Sequence, residues 1–323
     1  MLLKSNGSVS TTFKQYGTAV SRLVKGISKP YSVQSNSSDL SCVPFIIVSS
    51  GRSGSTLLRA IINQHPTVCV PPESHVLGHV TRKFKLWFRY LPWEYVVRLV
   101  ISEFQIQFPG FGFWGLDLFK FYPSALKLPK EQRSLSKLID IFYTYYIQEK
   151  KPEATRWGDK SIGNAVFLPL IDELYPNAQY ITIIRDGRDV SASLVAADTT
   201  PVNDVGDAAN YWLRSVTLTR QFGARLDKSR YLEVFYEDLV KKPKIVIQRL
   251  YDFLGLEYNN DALQFWQNVD SLRDANREIH KNLRKPINEN SIGKWRRQLS
   301  QEEQSVLQNK LRHKLLELNY SVD

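Results

Sequence analysis

The stretch PFIIVSSGRSGSTLLRAIIN, from Pro44 to Asn63, decides the fold. Phe45, Ile46, Ile47 and Val48 form an apolar run short enough for a buried parallel strand. Small residues follow at once: Ser49, Ser50, Gly51, Ser53, Gly54, Ser55 and Thr56. Leu57, Leu58, Ile61 and Ile62 then recur at helical spacing. A strand, a small-residue turn and a helix expose backbone N–H groups at a helix N-terminus, where the macrodipole also favours negative charge. The turn therefore predicts an anion site, and phosphate is the natural ligand. It differs from the ATP-binding P-loop, which needs four residues between two glycines and then Lys and Ser or Thr. Only Arg52 and Ser53 separate Gly51 from Gly54, and the cation lies inside the loop.

Outward from this stretch, strands alternate with helices. Val68–Val70 reads as a short strand, Tyr180–Ile184 as a β-branched buried strand and Tyr231–Val234 as another. Helices are expected over Leu135–Tyr146, Ala165–Leu174, from near Asp189, over Ile245–Leu254 capped by Gly255, and over Leu299–Leu318, where Ser300 and Glu303 offer a capping box. This alternation predicts an α/β fold: a P-loop-like central parallel sheet flanked by helices on both faces, in a single domain. The segment Phe84–Phe121 is dense in aromatic residues and carries Arg82, Lys83, Lys85, Arg89 and Arg98 in its first part. It reads either as core-packing helices or as a lipid-facing or acceptor-binding surface, with core packing favoured for most of its rings.

Composition narrows the classes further. The chain has 323 residues, 43% of them hydrophobic, enough for a large core. The net charge of +11 suits anionic substrates. No long Lys/Arg block appears, so no nucleic-acid partner is expected. Two cysteines, Cys42 and Cys69, make neither a disulfide framework nor a metal set, which fits a reducing, cytoplasmic compartment. No apolar run reaches transmembrane length. Residues 1–42 read as a flexible N-terminal arm rich in small and polar residues; a transit peptide is the minority reading.

Three strand ends carry polar clusters: Gly51–Thr56, Arg185–Ser193 and Phe235–Asp238. Ligands in open parallel sheets bind beyond the carboxyl ends of strands, so these clusters should converge. Arg185 at a strand end, with Ser193 expected one turn into the next helix, makes a second phosphate site. Two separated phosphate sites suit a nucleotide phosphorylated at both ends of its ribose better than ATP or NAD.

At this point the sequence resembles the sulfotransferase superfamily, whose donor is 3′-phosphoadenosine 5′-phosphosulfate (PAPS). GRSGSTLL looks like that family's 5′-phosphosulfate loop, and IIRDGRDVSASL like its 3′-phosphate motif. GDKSIGNAVFLPLIDELYPNAQYITIIRDGR, the YEDL at Tyr236–Leu239 and the KPINENSIGKW at Lys285–Trp295 look most like the tyrosylprotein-sulfotransferase branch and its bacterial relatives. The resemblance runs from about Pro44 to the C-terminus and is weak across the aromatic segment. It makes residues 43–323 a sulfotransferase domain with PAPS as donor, its bisphosphate PAP as product, and no metal required. The chain departs from the animal Golgi enzymes, which carry a membrane anchor and paired cysteines. It also lacks the His motif of the cytosolic small-molecule enzymes.

The resemblance assigns roles residue by residue. Arg52, Ser53, Gly54, Ser55 and Thr56 bind the 5′-phosphosulfate, Arg185 and Ser193 the 3′-phosphate, Tyr236 the adenine, and Lys294 closes over the nucleotide. Glu73 in PPESH is the general base, provided desolvation raises its pKa. Lys160 in GDKS lies near the leaving oxygen, and Arg52 stabilises the charge developing there. Each has a plainer alternative: Glu73 as a loop carboxylate in a salt bridge, Lys160 as a surface lysine, Tyr236 as core. His75 and His79 rival Glu73 as base, Arg188 either assists the 3′-phosphate or pairs with Asp186, and Asp159 reads as a local cap. The acceptor hydroxyl stays open among peptidyl tyrosine, carbohydrate, lipid and small phenol. A homodimer and a peripheral membrane location also stay open. The rival functions are a P-loop nucleotide kinase or NTPase and a non-catalytic module that binds bisphosphate nucleotides.

Overall fold

The computed structural model describes residues 30–106, 110–197, 202–272, 274 and 282–322. Five parallel strands form one sheet: β1 Phe45–Val48, β2 Val68–Cys69, β3 Arg156–Lys160, β4 Gln179–Ile184 and β5 Tyr231–Phe235. Their spatial order is β2-β3-β1-β4-β5. β1 is therefore central, pairing Ile46 with Asp159 on one side and with Tyr180 on the other. Chain order reverses direction across the sheet at β1. A crevice opens at such a switch point, beyond the strand's carboxyl end.

The helices follow in chain order: α1 Ser55–Ile62, α2 Leu77–Leu86, α3 Trp93–Ile106, α4 Leu118–Leu126, α5 Leu135–Lys150 and α6 Leu168–Leu174. Then come α7 Gly187–Val195, α8 Val205–Gly223, α9 Tyr236–Lys241, α10 Pro243–Leu254, α11 Trp295–Gln298 and α12 Gln301–Glu317. Local chemistry sets several of the ends. The Ser134 hydroxyl accepts the Lys137 N–H and starts α5. Ser300 and Glu303 make the expected capping box on α12. Pro243 opens α10, and Gly255 at φ 68° closes it.

Alternation along β1 divides the core, because successive side chains leave opposite faces of a sheet. Ile46 and Val48 pack with Val80, Phe84, Val100, Phe142 and Ile171, from α2, α3, α5 and α6. Phe45 and Ile47 pack with Leu58, Ile61, Ile247 and Leu250, from α1 and α10. A further cluster joins Ile184 to Trp212, Leu307, Leu311 and Leu315, placing α8 and α12 beyond β4. Both faces are covered, as the alternation of elements implies. Each such buried aliphatic side chain contributes roughly 1.5–3 kcal/mol.

Several local expectations change. β3, read from sequence only as the family segment GDKS, is a strand, because Trp157 and Gly158 lie inside the sheet and not in a loop. Gly158 is required there, since a Cβ would meet the Phe45 ring at 2.4 Å. α7 begins at Gly187 and not near Asp189, which puts Ser193 nearly two turns in. The expected helix over Ala165–Leu174 is a 3-10 turn, Ile162–Phe167, followed by α6.

The expected N-terminal arm divides. Residues 1–29 lie outside the described residues. Residues 30–42 are docked on α5: Val33 is buried, the Ser35 N–H donates to Ser136 Oγ at 2.7 Å, and the Ser41 N–H donates to Asp140 Oδ2 at 2.9 Å. The aromatic segment is mostly core. Phe84, Phe88, Trp93, Phe104, Trp114 and Phe121 are buried, while Trp87, Tyr90, Tyr95 and Phe119 are exposed. No helix among the described residues is long and apolar enough to cross a membrane.

Candidate active site

A cavity of about 850 Å³ opens over the carboxyl ends of the central strands. Its floor is the turn from β1 into α1. Arg52 holds a left-handed φ of 65°, and Gly54, the N-cap of α1, a φ of 93°. Gly54 offers no side-chain cap, so the first N–H groups of α1 have no acceptor within the helix. The Leu58 N–H makes the first helical bond, to the Gly54 carbonyl. Ser55, Thr56 and Leu57 thus present donors to the cavity they line. Ser53 does not line it. Ser53 is fully buried beneath the turn, with its hydroxyl 2.5 Å from Ser50 Oγ, so its side chain braces the loop.

Gly54 is constrained twice. A Cβ there would lie 2.5 Å from Tyr236 Cδ2, and its φ is strained for any L side chain. Gly54→Ala should cost at least about 1 kcal/mol of stability and shift the Tyr236 ring. Thermal denaturation together with PAP affinity measures both effects. Unchanged values for both would show that the loop does not need this conformation.

The second wall comes from β4 and α7. Arg185 lies at the carboxyl end of β4 and is nearly buried. Its Nη1 donates to the Arg52 carbonyl at 3.1 Å and its Nη2 to the Ser291 carbonyl at 2.5 Å. Its guanidinium lies 4.7 Å from the Tyr236 ring centroid. Arg185 Nε is buried with no hydrogen-bond partner among the described residues. Ser193 Oγ accepts from Arg52 Nε at 3.1 Å, so the two expected phosphate motifs touch. Burial, and then the charge of Arg185, push the Arg52 pKa down. An anion bound between the two side chains would relieve this repulsion.

Asp189 and Ser291, which the sequence did not single out, build the roof. Asp189 Oδ2 accepts the Gly293 N–H at 2.7 Å, and Oδ1 accepts the Trp295 N–H at 3.0 Å. These bonds pin Lys294 over the cavity, where Lys285 also contributes. Burial raises the Asp189 pKa against the opposing charge of Arg185, 3.8 Å away. Arg188 takes the second of its expected roles. It pairs with Asp186 at 2.8 Å, stacks on Trp295 and lies outside the cavity lining.

The third wall is the strap after β2. Glu73 Oε1 pairs with Lys160 Nζ, and Oε2 lies 2.8 Å from His75 Nε2. Lys160 also donates to Thr56 Oγ1 at 3.2 Å, which links strap and loop. Lys160 is 1% exposed, which removes the surface-lysine reading. The expected pKa shift of Glu73 is reversed. Burial alone would raise it, but the Lys160 charge and the contact with His75 outweigh burial and hold the carboxyl well below its usual range.

Asp159 supports this strap as a buried hub. It accepts from Tyr143 Oη at 2.7 Å, Ser74 Oγ at 3.1 Å and Asn164 Nδ2 at 2.6 Å. Ser161 Oγ accepts both the Ser74 and His75 N–H groups. Trp114 Nε1 donates to the Pro72 carbonyl at 3.0 Å, so the aromatic core also fixes the strap. His79 packs on Phe167 at 4.5 Å and does not line the cavity.

One cavity therefore joins Arg52, Gly54, Ser55, Thr56, Glu73, Arg185, Ser193, Tyr236 and Lys294, with Lys160 buried just behind them. A helix N-terminus facing two arginines and a lysine, with a carboxylate–lysine pair at its edge, suits transfer of an anionic group from a phosphorylated nucleotide. The chain belongs to the sulfotransferase family, whose model matches residues 44–260.

Similar curated proteins include a putative protein-tyrosine sulfotransferase of Caenorhabditis briggsae, 25% identical over 76% of this chain and 77% of that protein. Protein-tyrosine sulfotransferase A of Caenorhabditis elegans is 24% identical over 78% of this chain and 61% of its own length. The chain spans 60% of human protein-tyrosine sulfotransferase 1, at 22% identity. Among solved structures, the sulfotransferase domain of the Synechococcus PCC 7002 olefin synthase is similar, with a TM-score of 0.61, 25% identity and coverage of 86% of this chain and 95% of that domain. The resemblance to the sulfotransferases drawn from the two phosphate motifs thus stands, and so does the α/β fold expected from the alternation of strands and helices.

Proposed function

We propose that this chain transfers a sulfuryl group from PAPS to an acceptor hydroxyl by in-line displacement. The observation that carries the reading is the meeting of the α1 N-terminus, Arg185 and Ser193 in one cavity with the Glu73–Lys160 pair at its edge. The free N–H groups of α1 and Arg52 hold the 5′-phosphosulfate. Arg185, with its unsatisfied Nε, and Ser193 hold the 3′-phosphate. Tyr236 and Lys294 enclose the nucleoside.

In the reaction the acceptor oxygen forms a bond to sulfur, and the bond from sulfur to the 5′-phosphate oxygen breaks. The electron pair stays on that phosphate, where Arg52, Lys160 and the helix N-terminus stabilise it. The acceptor proton leaves toward the strap that carries Glu73 and His75. The names of the curated relatives favour peptidyl tyrosine as acceptor over carbohydrate, lipid or small phenol. The free cysteines Cys42 and Cys69 support a reducing, cytoplasmic compartment.

Isothermal titration with adenosine 3′,5′-bisphosphate (PAP), ATP and AMP in EDTA tests the donor site. PAP should bind alone among the three and require both Arg52 and Arg185. Preference for ATP would favour the kinase or NTPase reading. PAP binding without turnover of PAPS by any acceptor would leave a bisphosphate-binding module.

A further inference from the structure

The way the strap holds Glu73 and His75 decides which atom takes the acceptor's proton. Glu73 is a poor candidate on its own. One of its oxygens is engaged by Lys160, and the other faces His75. A carboxylate held so firmly in its ionised form is a weak base, and general bases work best with pKa values near the operating pH.

His75 is built differently. It holds a left-handed φ of 53°, uncommon for a residue with a side chain. Such a conformation persists only where its surroundings over-determine it. Here Ser161 Oγ accepts the His75 N–H at 3.1 Å, and the Asp159 hub fixes Ser74 alongside. The result places the imidazole in the cavity lining with Nε2 2.8 Å from Glu73 Oε2. Nδ1 has no hydrogen-bond partner among the described residues. With Nε2 carrying the hydrogen toward the carboxylate, Nδ1 keeps its lone pair.

We propose that His75 is the catalytic base and that Glu73 is its orienting carboxylate, so that the pair works as a dyad. The proposal rests on the sulfotransferase reading and deepens it. The acceptor O–H proton passes to His75 Nδ1 as the acceptor oxygen bonds to sulfur. The electron pair of the broken bond stays on the 5′-phosphate. The imidazolium that forms faces an ionised Glu73, the arrangement by which a buried carboxylate holds a catalytic imidazole in one tautomer. The charged and titratable groups around His75 are Glu73 on its own strap, Lys160 behind Glu73 on β3, and His79 on α2.

Two readouts test this. The first is the ¹⁵N spectrum of histidine-labelled, PAP-bound protein, with His75 assigned through His75→Asn. Asn is chosen because it tolerates the left-handed backbone. The expected result is the Nε2–H tautomer, replaced by a mixture of tautomers in Glu73→Gln while the other histidines stay put. An Nδ1–H tautomer, or a tautomer balance unmoved by Glu73→Gln, would overturn the dyad.

The second readout is turnover of PAPS with 2-naphthol as probe acceptor. His75→Asn should lower kcat about 10²- to 10⁴-fold with PAP affinity unchanged. Adding Glu73→Gln should then cost little more, because residues acting as a unit are not additive. Full kcat in His75→Asn would return the base to Glu73. Loss of PAP binding in the wild-type protein would instead refute the donor site, a separate failure seen in the titration above.

Discussion

Lys160→Met will remove most of the turnover and, at neutral pH, a large part of the stability that β3 lends the site. The Lys160 ammonium is buried and bonds both Glu73 and Thr56. It thus couples the strap to the N-terminal turn of α1. In the proposed reaction this cation stabilises the charge that develops at the leaving oxygen. Loss of one such donor typically costs about 10²–10³ in kcat. PAP affinity should change far less, because Arg52, Arg185 and the helix N–H groups remain.

The stability effect has a definite pH dependence. Glu73 has a depressed pKa in the folded protein, so its pairing contributes fully above the ordinary glutamate pKa of about 4.3. That contribution is lost as pH falls toward the folded value. Removing one partner of a buried pair costs about 3–5 kcal/mol. Glu73 keeps 19% side-chain exposure, which places the expected loss at the lower end. Urea denaturation at pH 7 should therefore show a gap of about 3 kcal/mol between wild type and Lys160→Met. The gap should narrow steadily below about pH 4. An equal gap at both pH values would show that the methionine acts through packing and not through the pair.

The parts of this site that were legible in the sequence are those whose chemistry is local. The turn from β1 to α1 announces itself, because a strand, a glycine pair and a helical run lie within one short segment. Arg185 and Ser193 are legible for the same reason. What escaped depends on contacts between distant segments. β3 gave no alternation to read, since Gly158, Asp159 and Lys160 are each placed by partners far away in the chain: Phe45, Ser74 and Glu73.

The reversed pKa of Glu73 belongs to this class. Burial is the term a sequence suggests, and the Lys160 charge is the one the fold adds. Asp189 escaped because its partners, Gly293 and Trp295, lie in a segment whose folding onto α7 no periodicity predicts. The aromatic segment was legible only as a balance between core and surface. The structure strikes it by burying Trp114 under Pro72 and leaving Trp87 and Phe119 outside.

Arg185→Ala should abolish measurable PAP binding, and the reason goes beyond a lost phosphate contact. The guanidinium does three jobs at once. It holds the Arg52 carbonyl, and so the left-handed turn of the loop. It holds the Ser291 carbonyl, and so the segment that carries Lys294. It also faces the buried Asp189. Truncating a buried, hydrogen-bonded charge costs about 2–5 kcal/mol of binding, or roughly 30- to 4000-fold in Kd.

Arg185→Lys separates these jobs. A lysine keeps a positive charge near Asp189 but loses the planar fork that reaches two carbonyls together and, in the proposed complex, the 3′-phosphate as well. Thermal stability should therefore recover in Arg185→Lys while PAP affinity stays far below wild type. Recovery of affinity along with stability would mean that the site needs only charge at this position. In that case the 3′-phosphate would be held by Ser193 and the roof lysines, and the shared cavity would owe its selectivity for a bisphosphate to Lys285 and Lys294.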